Sequence, residues 1–429
     1  MIRPVGIRNV NGKLTINNHS FEDLRNEYKT PLYIIDEKQL NKNIKAYEDN
    51  FKSSMFETKV VYASKALLNY EIVRIMDNHN FYLDAVSIGD LYIINNVLHS
   101  LKHVVFHGNN KSYDELVYAV ENGIGFIVID NIPELKMLDE ITNKLGKYVE
   151  ILVRVNPHID THTHKFIQTS KVASKFGISI SDKDAYDDVM RITKRNSNLK
   201  WVGLHAHIGS NIFEESSFEK EINVMVNFLN KMNNSYHIAL STLNIGGGIG
   251  VKYNRKDPNI KLEEFVRVII SYLEDSICKT NSLIRNVMIE PGRSIVGNAG
   301  VTLYTISQVK SSGLKNYIMI DGGMNDNIRC ALYNAKYVAD IVNKPNDLKV
   351  LLADVVGKCC ESGDIIIEDG LFPKPEPNDL LIVYTTGAYN YSMSSNYNSL
   401  LRPAMVLVGD EVKEIVKRED LSDLTKNFK

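Results

Sequence analysis

Two cysteines stand side by side in "VGKCCESGD" (356–364), followed at once by Glu361, in a chain of 429 residues with four cysteines. Thiol chemistry offers three uses for such a pair: a metal clip, a redox couple, or one reactive group. Cys278, Cys330, Cys359 and Cys360 show no C-x-x-C spacing, and neighbours along one chain can hardly share a metal or close a relaxed disulfide. Packing, or a single thiol with a chemical task, remains. The other groups able to do chemistry are Lys65 in "YASKALL", His205 and His207 in "HAHIGS", Gly246, Gly247 and Gly248 in "GGGIG", and the "EPGR" of Glu290, Pro291, Gly292 and Arg293. Glycines let backbone N–H groups approach a phosphate, and an arginine adds charge. A desolvated lysine can attack a carbonyl. Taken singly, each has a plainer reading: a surface lysine, a satisfied core histidine, a tight turn.

To act together, these groups must be brought to one place. Eight β-rich runs recur along the chain: "KVVYAS" (59–64), "FYLDAV" (81–86), "HVVFH" (103–107), "FIVID" (126–130), "EILVRV" (150–155), "WVGLHAH" (201–207), "STLNI" (241–245) and "NVMIE" (286–290). Helical patterns separate the later ones, with Phe218, Ile222, Met225, Leu229 and Met232 in 215–232, and Leu262, Phe265, Ile269, Leu273 and Ile277 in 262–277. Strands alternating with helices imply parallel pairing, and eight such units predict an α/β fold of the (β/α)8 TIM-type barrel. An open doubly wound sheet is the other arrangement. Barrels place their chemistry at the C-terminal strand ends. Those ends carry Lys65, Asp84, His107 with Gly108, Asp130, Arg154, His205 with His207 and Ser210, the glycine run, and "EPGR". A lysine opposite a phosphate cradle suggests pyridoxal 5'-phosphate held as a Schiff base on Lys65. Glu290 would then keep the pyridine nitrogen protonated, which makes the ring an electron sink suited to decarboxylation, and His207 would stack on it.

The remaining composition bounds the answer. Fifty basic residues against fifty-two acidic ones give a net charge of -2, which argues against a nucleic-acid or acidic-membrane footprint. No apolar run approaches a membrane span, and the first residues lack a signal-peptide core, so a cytoplasmic protein is expected. After residue 295 come β runs without long helices, separated by turn clusters such as "NKPND" and "PKPEPND". These predict a C-terminal antiparallel β domain over 296–429. Residues 1–35 are expected to join it, with "GKLTINNHS" adding a strand, and 36–295 to form the barrel. "PLYIID" is read as a connector. His158, His162 and His164 have no adjoining acidic cluster, and no metal site is expected.

"YASKA", "HGNNK", "HTHKFIQT" with "SKFG" (162–177), "HAHIGS", "GGGIG", "EPGRSIV", "DGGMNDNIRCALY" (321–333), "CESGD" and "GAYNYSMSSNYN" (387–398) together resemble the diaminopimelate decarboxylase family, of the alanine-racemase-like class of pyridoxal phosphate enzymes. The likeness runs over essentially the whole chain. It implies decarboxylation of meso-2,6-diaminopimelate to L-lysine and CO2, the last step of lysine biosynthesis. By matching motifs, it implies that Lys65 holds the cofactor, His207 stacks on it and Glu290 pairs with its nitrogen. Ser210, Gly246–Gly248, Pro291, Gly292, Arg293 and Tyr389 would surround the phosphate. Arg293, Arg329 and Tyr333 would grip the substrate's distal carboxylate, Glu361 its distal ammonium, and Tyr389 would also face the substrate. Cys360 would reach from one subunit of a homodimer into the partner's barrel and protonate the carbanion left by CO2, and Cys359 is assigned to packing. Departures from the pattern are Cys330 and Lys358 where proline is common, and Asn390 and Tyr391 in "GAYNYSM". The same chemistry on ornithine, arginine or a siderophore intermediate would want an acidic distal pocket, which Arg329, Tyr333 and "SKFG" oppose. A catalytically silent relative would have no need of Lys65, Glu290 and Cys360.

Overall fold

Residues 2–159 and 174–429 are described by the computed structural model. Eight parallel strands follow the eight predicted runs: Glu57–Tyr62, Tyr82–Ala85, Val104–Phe106, Phe126–Ile129, Val149–Asn156, Leu199–His205, Thr242–Asn244 and Asn286–Ile289. Each pairs with the next, and the last pairs with the first, Ile289 opposite Val60, so the sheet closes into a barrel. The interior is filled by apolar side chains from six of the strands, Val61, Val105, Val128, Leu152, Val202 and Met288, as a closed eight-stranded barrel requires. The predicted helices form as Glu215–Tyr236 and Leu262–Thr280, and both bury the stripe that the periodicity picks out, except for Leu262, which is half-buried. Local signals fix other helices. Ser112 and Glu115 make a capping box at the start of Tyr113–Glu121, and Gly146, left-handed at φ 63°, closes Ile132–Leu145.

By packing, the chain forms two units. One comprises residues 45–250 and 260–292 and holds the barrel; the other comprises 1–44, 251–259 and 293–429. The second is built on a nine-stranded sheet that is mixed rather than antiparallel: Leu32–Asp36 pairs in parallel with Ala404–Val408, and Asn316–Ile320 with Leu351–Val356. "PLYIID" is therefore no connector. All five residues of Leu32–Asp36 are buried, and the strand lies between Gly300–Ser311 and Ala404–Val408. "GKLTINNHS" does not extend that sheet either. Ile7–Val10, Lys13–Ile16 and His19–Ser20 form a separate three-stranded sheet, whose Leu14 and Ile16 pack in the same core as Ile34, Leu303 and Val406. Among the described residues no helix is long and apolar enough to cross a membrane.

Candidate active site

At the C-terminal ends of the barrel strands lies a network centred on Glu290. Its carboxylate is buried, with Oε1 2.8 Å from His107 Nε2 and Oε2 3.4 Å from His205 Nε2. Asn244 Nδ2 donates to Oε1 at 2.7 Å, while Asn244 Oδ1 accepts from the Gly246 N–H at 2.9 Å. The seventh strand thus ties the carboxylate to the glycine loop. Burial alone would raise the Glu290 pKa, but His107 and His205 outweigh it and hold the group well below the usual carboxylate range. His205 is pushed down to about 4, chiefly by burial, against the opposing pull of Glu290. The imidazole contacts are close approaches rather than aligned hydrogen bonds, since Nε2 of both rings lacks a hydrogen-bond partner. The two rings meet edge-on, 4.9 Å between centroids. His107, His205 and Glu290 bring three ligand-type atoms within 4.8 Å of one another. His158 instead bonds Ser179 at 3.2 Å, while His162, His164 and the rest of "HTHKFIQT" lie outside the described residues.

The predicted groups of the barrel unit are distributed over its strand ends. Lys65 follows the first strand in a short turn, Ser64–Ala66, and is exposed. The Ser64 N–H donates to Asp84 Oδ1 at 2.6 Å. Asp84 is fully buried and pushed up to about 6, mainly by burial, with the Lys65 charge pulling the other way. The Ala63 N–H donates to Pro291 O at 2.9 Å, and a Cβ on Gly292 would stand 2.8 Å from that of Ala63, so glycine is what allows "EPGR" to pack on the first strand. Gly246 and Gly248 adopt φ of 62° and 129°, which other residues rarely enter. The Gly247 N–H donates to His207 Nδ1 at 3.3 Å, which leaves the ring proton on Nε2 in the neutral form. Burial, and next Lys65, keep His207 well below its ordinary pKa. Ser210, three residues after His207, is half-buried. At the fourth and fifth strands, Phe176 of "SKFG" lies 4.4 Å from the Arg154 guanidinium, and the Gly177 N–H donates to Asp130 at 3.0 Å. Lys111, buried, donates to Gly108 O, Val128 O and Glu134 at 2.7–2.8 Å and so anchors the loop that carries His107.

The other unit gathers a second set. Arg293 and Arg329, both buried, flank the Tyr253 hydroxyl. Arg293 donates to it, and the Arg329 guanidinium lies 4.9 Å from the Tyr253 ring. Burial would raise the Tyr253 pKa, but the two cations more than offset it and the net direction is down. Arg329 also donates to Tyr337 at 2.7 Å and lies 6.0 Å from the Tyr333 ring, and Tyr389 lies 4.8 Å from Arg293. No carboxylate pairs with Arg329 among the described residues. Asn390, one of the departures, is buried beside Tyr337. Cys330, another, buries its thiol against Ile366 O at 3.4 Å. Cys359 and Cys360 lie past the end of Leu351–Val356, in a turn. Cys359 is buried and pushed up to about 11, chiefly by burial, whereas Cys360 and Glu361 are exposed. The sequence reading left His107, His205, Asp84 and Asn244 without a role. A polar residue at the inward end of an apolar strand was the signal for each.

Residues 37–297 match the model of the family described as "Pyridoxal-dependent decarboxylase, pyridoxal binding domain". The chain is 37% identical over 421 residues to the diaminopimelate decarboxylase of Bacillus subtilis, covering 98% of this chain and 96% of that one. It is 38% identical to that of Staphylococcus aureus, covering 98% of each. Among solved structures, the diaminopimelate decarboxylase of M. jannaschii in complex with L-lysine is 30% identical, with a TM-score of 0.93 over 100% of this chain and 99% of that one.

Proposed function

The chain belongs to the pyridoxal-dependent decarboxylases, within the diaminopimelate decarboxylase family, and from that premise we propose that it converts meso-2,6-diaminopimelate to L-lysine and CO2. The observation that carries the reading is the buried, ionised Glu290 held at the mouth of a barrel that also presents Lys65, His207 and a left-handed glycine loop. These residues fit pyridoxal phosphate. Gly246–Gly248 form a cradle that a Cβ would fill, colliding with Ala206 O, Glu290 O or Gly209 O, and buried nitrogens of His205 and Asp84 Oδ2 have no hydrogen-bond partner. Lys65 would hold the cofactor's aldehyde carbon; Ser210, the glycine loop, Pro291, Gly292, Arg293 and Tyr389 its phosphate; and His207 its ring. The bound cofactor supplies an electron sink for the pair released when the carboxylate leaves.

The chain's own residues do the rest. Glu290 keeps its negative charge through Asn244, His107 and His205 and so retains a proton on the group it faces. Arg329 brings a buried, undivided positive charge, and its fork can engage a carboxylate at two points. With Arg293 and Tyr333 it would seat the substrate's distal carboxylate, while Glu361 and Tyr389 would read the neighbouring ammonium. Cys360 would return the proton. It is exposed on the turn of a hairpin whose strands also expose Leu352 (56%) and Leu371 (51%), directly opposite each other, with Val350 (68%) exposed just before the first strand. Apolar area of that kind suits burial against a second copy, which supports a homodimer with shared sites, and the near-balanced charge supports action on a small amino acid rather than on nucleic acid or an acidic membrane, within a cytoplasmic enzyme. Purified enzyme should release CO2 and L-lysine from meso-diaminopimelate and leave ornithine and arginine untouched. Equal turnover of ornithine would overturn the substrate, and a protein that shows no visible absorbance once incubated with pyridoxal phosphate and freed of unbound cofactor by gel filtration would overturn the cofactor.

A further inference from the structure

The turn bearing Cys360 is unusually well tethered for an exposed segment. Asp364, buried, accepts from the Cys359 N–H at 2.8 Å and from the Met324 N–H at 2.6 Å, and its carbonyl accepts from the Gly357 N–H at 3.0 Å. The Lys358 N–H donates to Gly322 O at 2.9 Å, a bond that proline could not make. Cys360 itself is held from elsewhere in the chain: its N–H donates to the side-chain oxygen of Asn398 at 2.8 Å, across 38 positions. Asn398 is left-handed, with φ 53°. Asparagine combines that backbone with a short acceptor arm, a pairing that few residues manage. The segment that carries it is itself fixed. The Ser395 N–H donates to Asn325 O at 2.9 Å, Asn396 donates to Glu419, and Arg402 donates to Ser394 Oγ at 2.8 Å.

We propose that Asn398 is a positioning residue for proton delivery: its side-chain oxygen, by fixing the Cys360 backbone, sets the direction in which the Cys360 thiol points. The inference rests on Cys360 being the proton donor. It also gives the end of "GAYNYSMSSNYN" a task that no role assigned above requires.

Three variants test it in the holoenzyme. Asn398→Gly keeps the left-handed backbone and deletes the acceptor, Asn398→Asp keeps both, and Cys360→Ala removes the thiol. Asn398→Gly should lower kcat by about tenfold or more with KM within about twofold, because a misdirected reacting group costs rate rather than binding. Asn398→Asp should retain most of the turnover, all melting temperatures should stay close to wild type, and Cys360→Ala/Asn398→Gly should be no slower than Cys360→Ala alone. Wild-type kcat in Asn398→Gly, equal losses in Asn398→Gly and Asn398→Asp, or a further loss in the double variant would overturn the proposal while leaving the thiol's role intact. Wild-type turnover of Cys360→Ala would remove the donor reading, and the proposal with it.

Discussion

Asp84 offers a test in which the sign as well as the size follows from the structure. The carboxyl is buried, accepts the Ser64 N–H through Oδ1, and leaves Oδ2 without a partner. Its pKa rises from 3.8 to about 6. The folded-state value lies above that of the unfolded chain, so the unfolded chain releases this proton first. Stability is therefore unaffected below about pH 4, falls as pH rises toward 6, and stays reduced above it. At about 1.4 kcal/mol per pH unit, the cost at neutral pH is on the order of 3 kcal/mol. Asp84→Asn keeps the acceptor for Ser64 and carries no charge. In the cofactor-free protein, urea unfolding across pH 4–8 should show the variant's stability relative to wild type climbing by about 2–3 kcal/mol between pH 4 and 7 and then levelling. Any constant offset from the new amide N–H cancels in that difference. A flat difference, or one that falls with pH, would refute the account of Asp84 as a carboxylate charged at a cost beside Lys65.

Two further outcomes follow from the site. Arg329→Ala should lower kcat/KM for meso-diaminopimelate by the equivalent of about 2–5 kcal/mol, since a buried carboxylate would lose its charged partner; unchanged steady-state kinetics would take Arg329 out of the substrate site. Lys65→Ala and Cys360→Ala should each be nearly inactive, yet when unfolded and refolded together they should regain roughly a quarter of wild-type activity, because in a two-fold dimer with shared sites half the dimers are mixed and each has one intact site. Activity that stays near zero would place Cys360 in its own chain's site.

The barrel was legible because its signal repeats. Eight apolar runs each end in a polar or glycine group, and register then forces those ends to one rim. What escaped notice shares a different cause. Leu32–Asp36 reads as a short apolar run before a helix, and only its neighbours, one antiparallel and one parallel, make it a central strand. A run buried on both faces has no alternation to betray it. Asn244, His107 and His205 look like ordinary strand residues until the inward register sets them around one carboxylate. Tyr337 follows Arg329 by only eight positions, but Tyr253 meets it from a distant segment, and no spacing rule links that pair. Asn398 is further still from legibility, because its significance lies in a backbone N–H that any residue at 360 would present.

The two units solve opposite charge problems, and that contrast bears on substrate choice. In the barrel, an anion is stabilised by an amide and close imidazoles: Glu290 stays ionised although its surroundings are dry. In the other unit, a cation is buried among phenols: Arg329 sits between Tyr253, Tyr333 and Tyr337 with no carboxylate beside it among the described residues. Tyr253 and Tyr337 themselves raise the Arg329 pKa against the effect of burial, so the charge cannot be shed. A buried fixed cation without a counter-ion is costly unless an anion arrives. A substrate whose far end is only an ammonium would add to that cost, whereas one whose far end bears a carboxylate beside its amine relieves it. Discrimination against ornithine then arises from repulsion as much as from attraction, and Arg329→Ala should weaken the rejection of ornithine as well as the binding of meso-diaminopimelate.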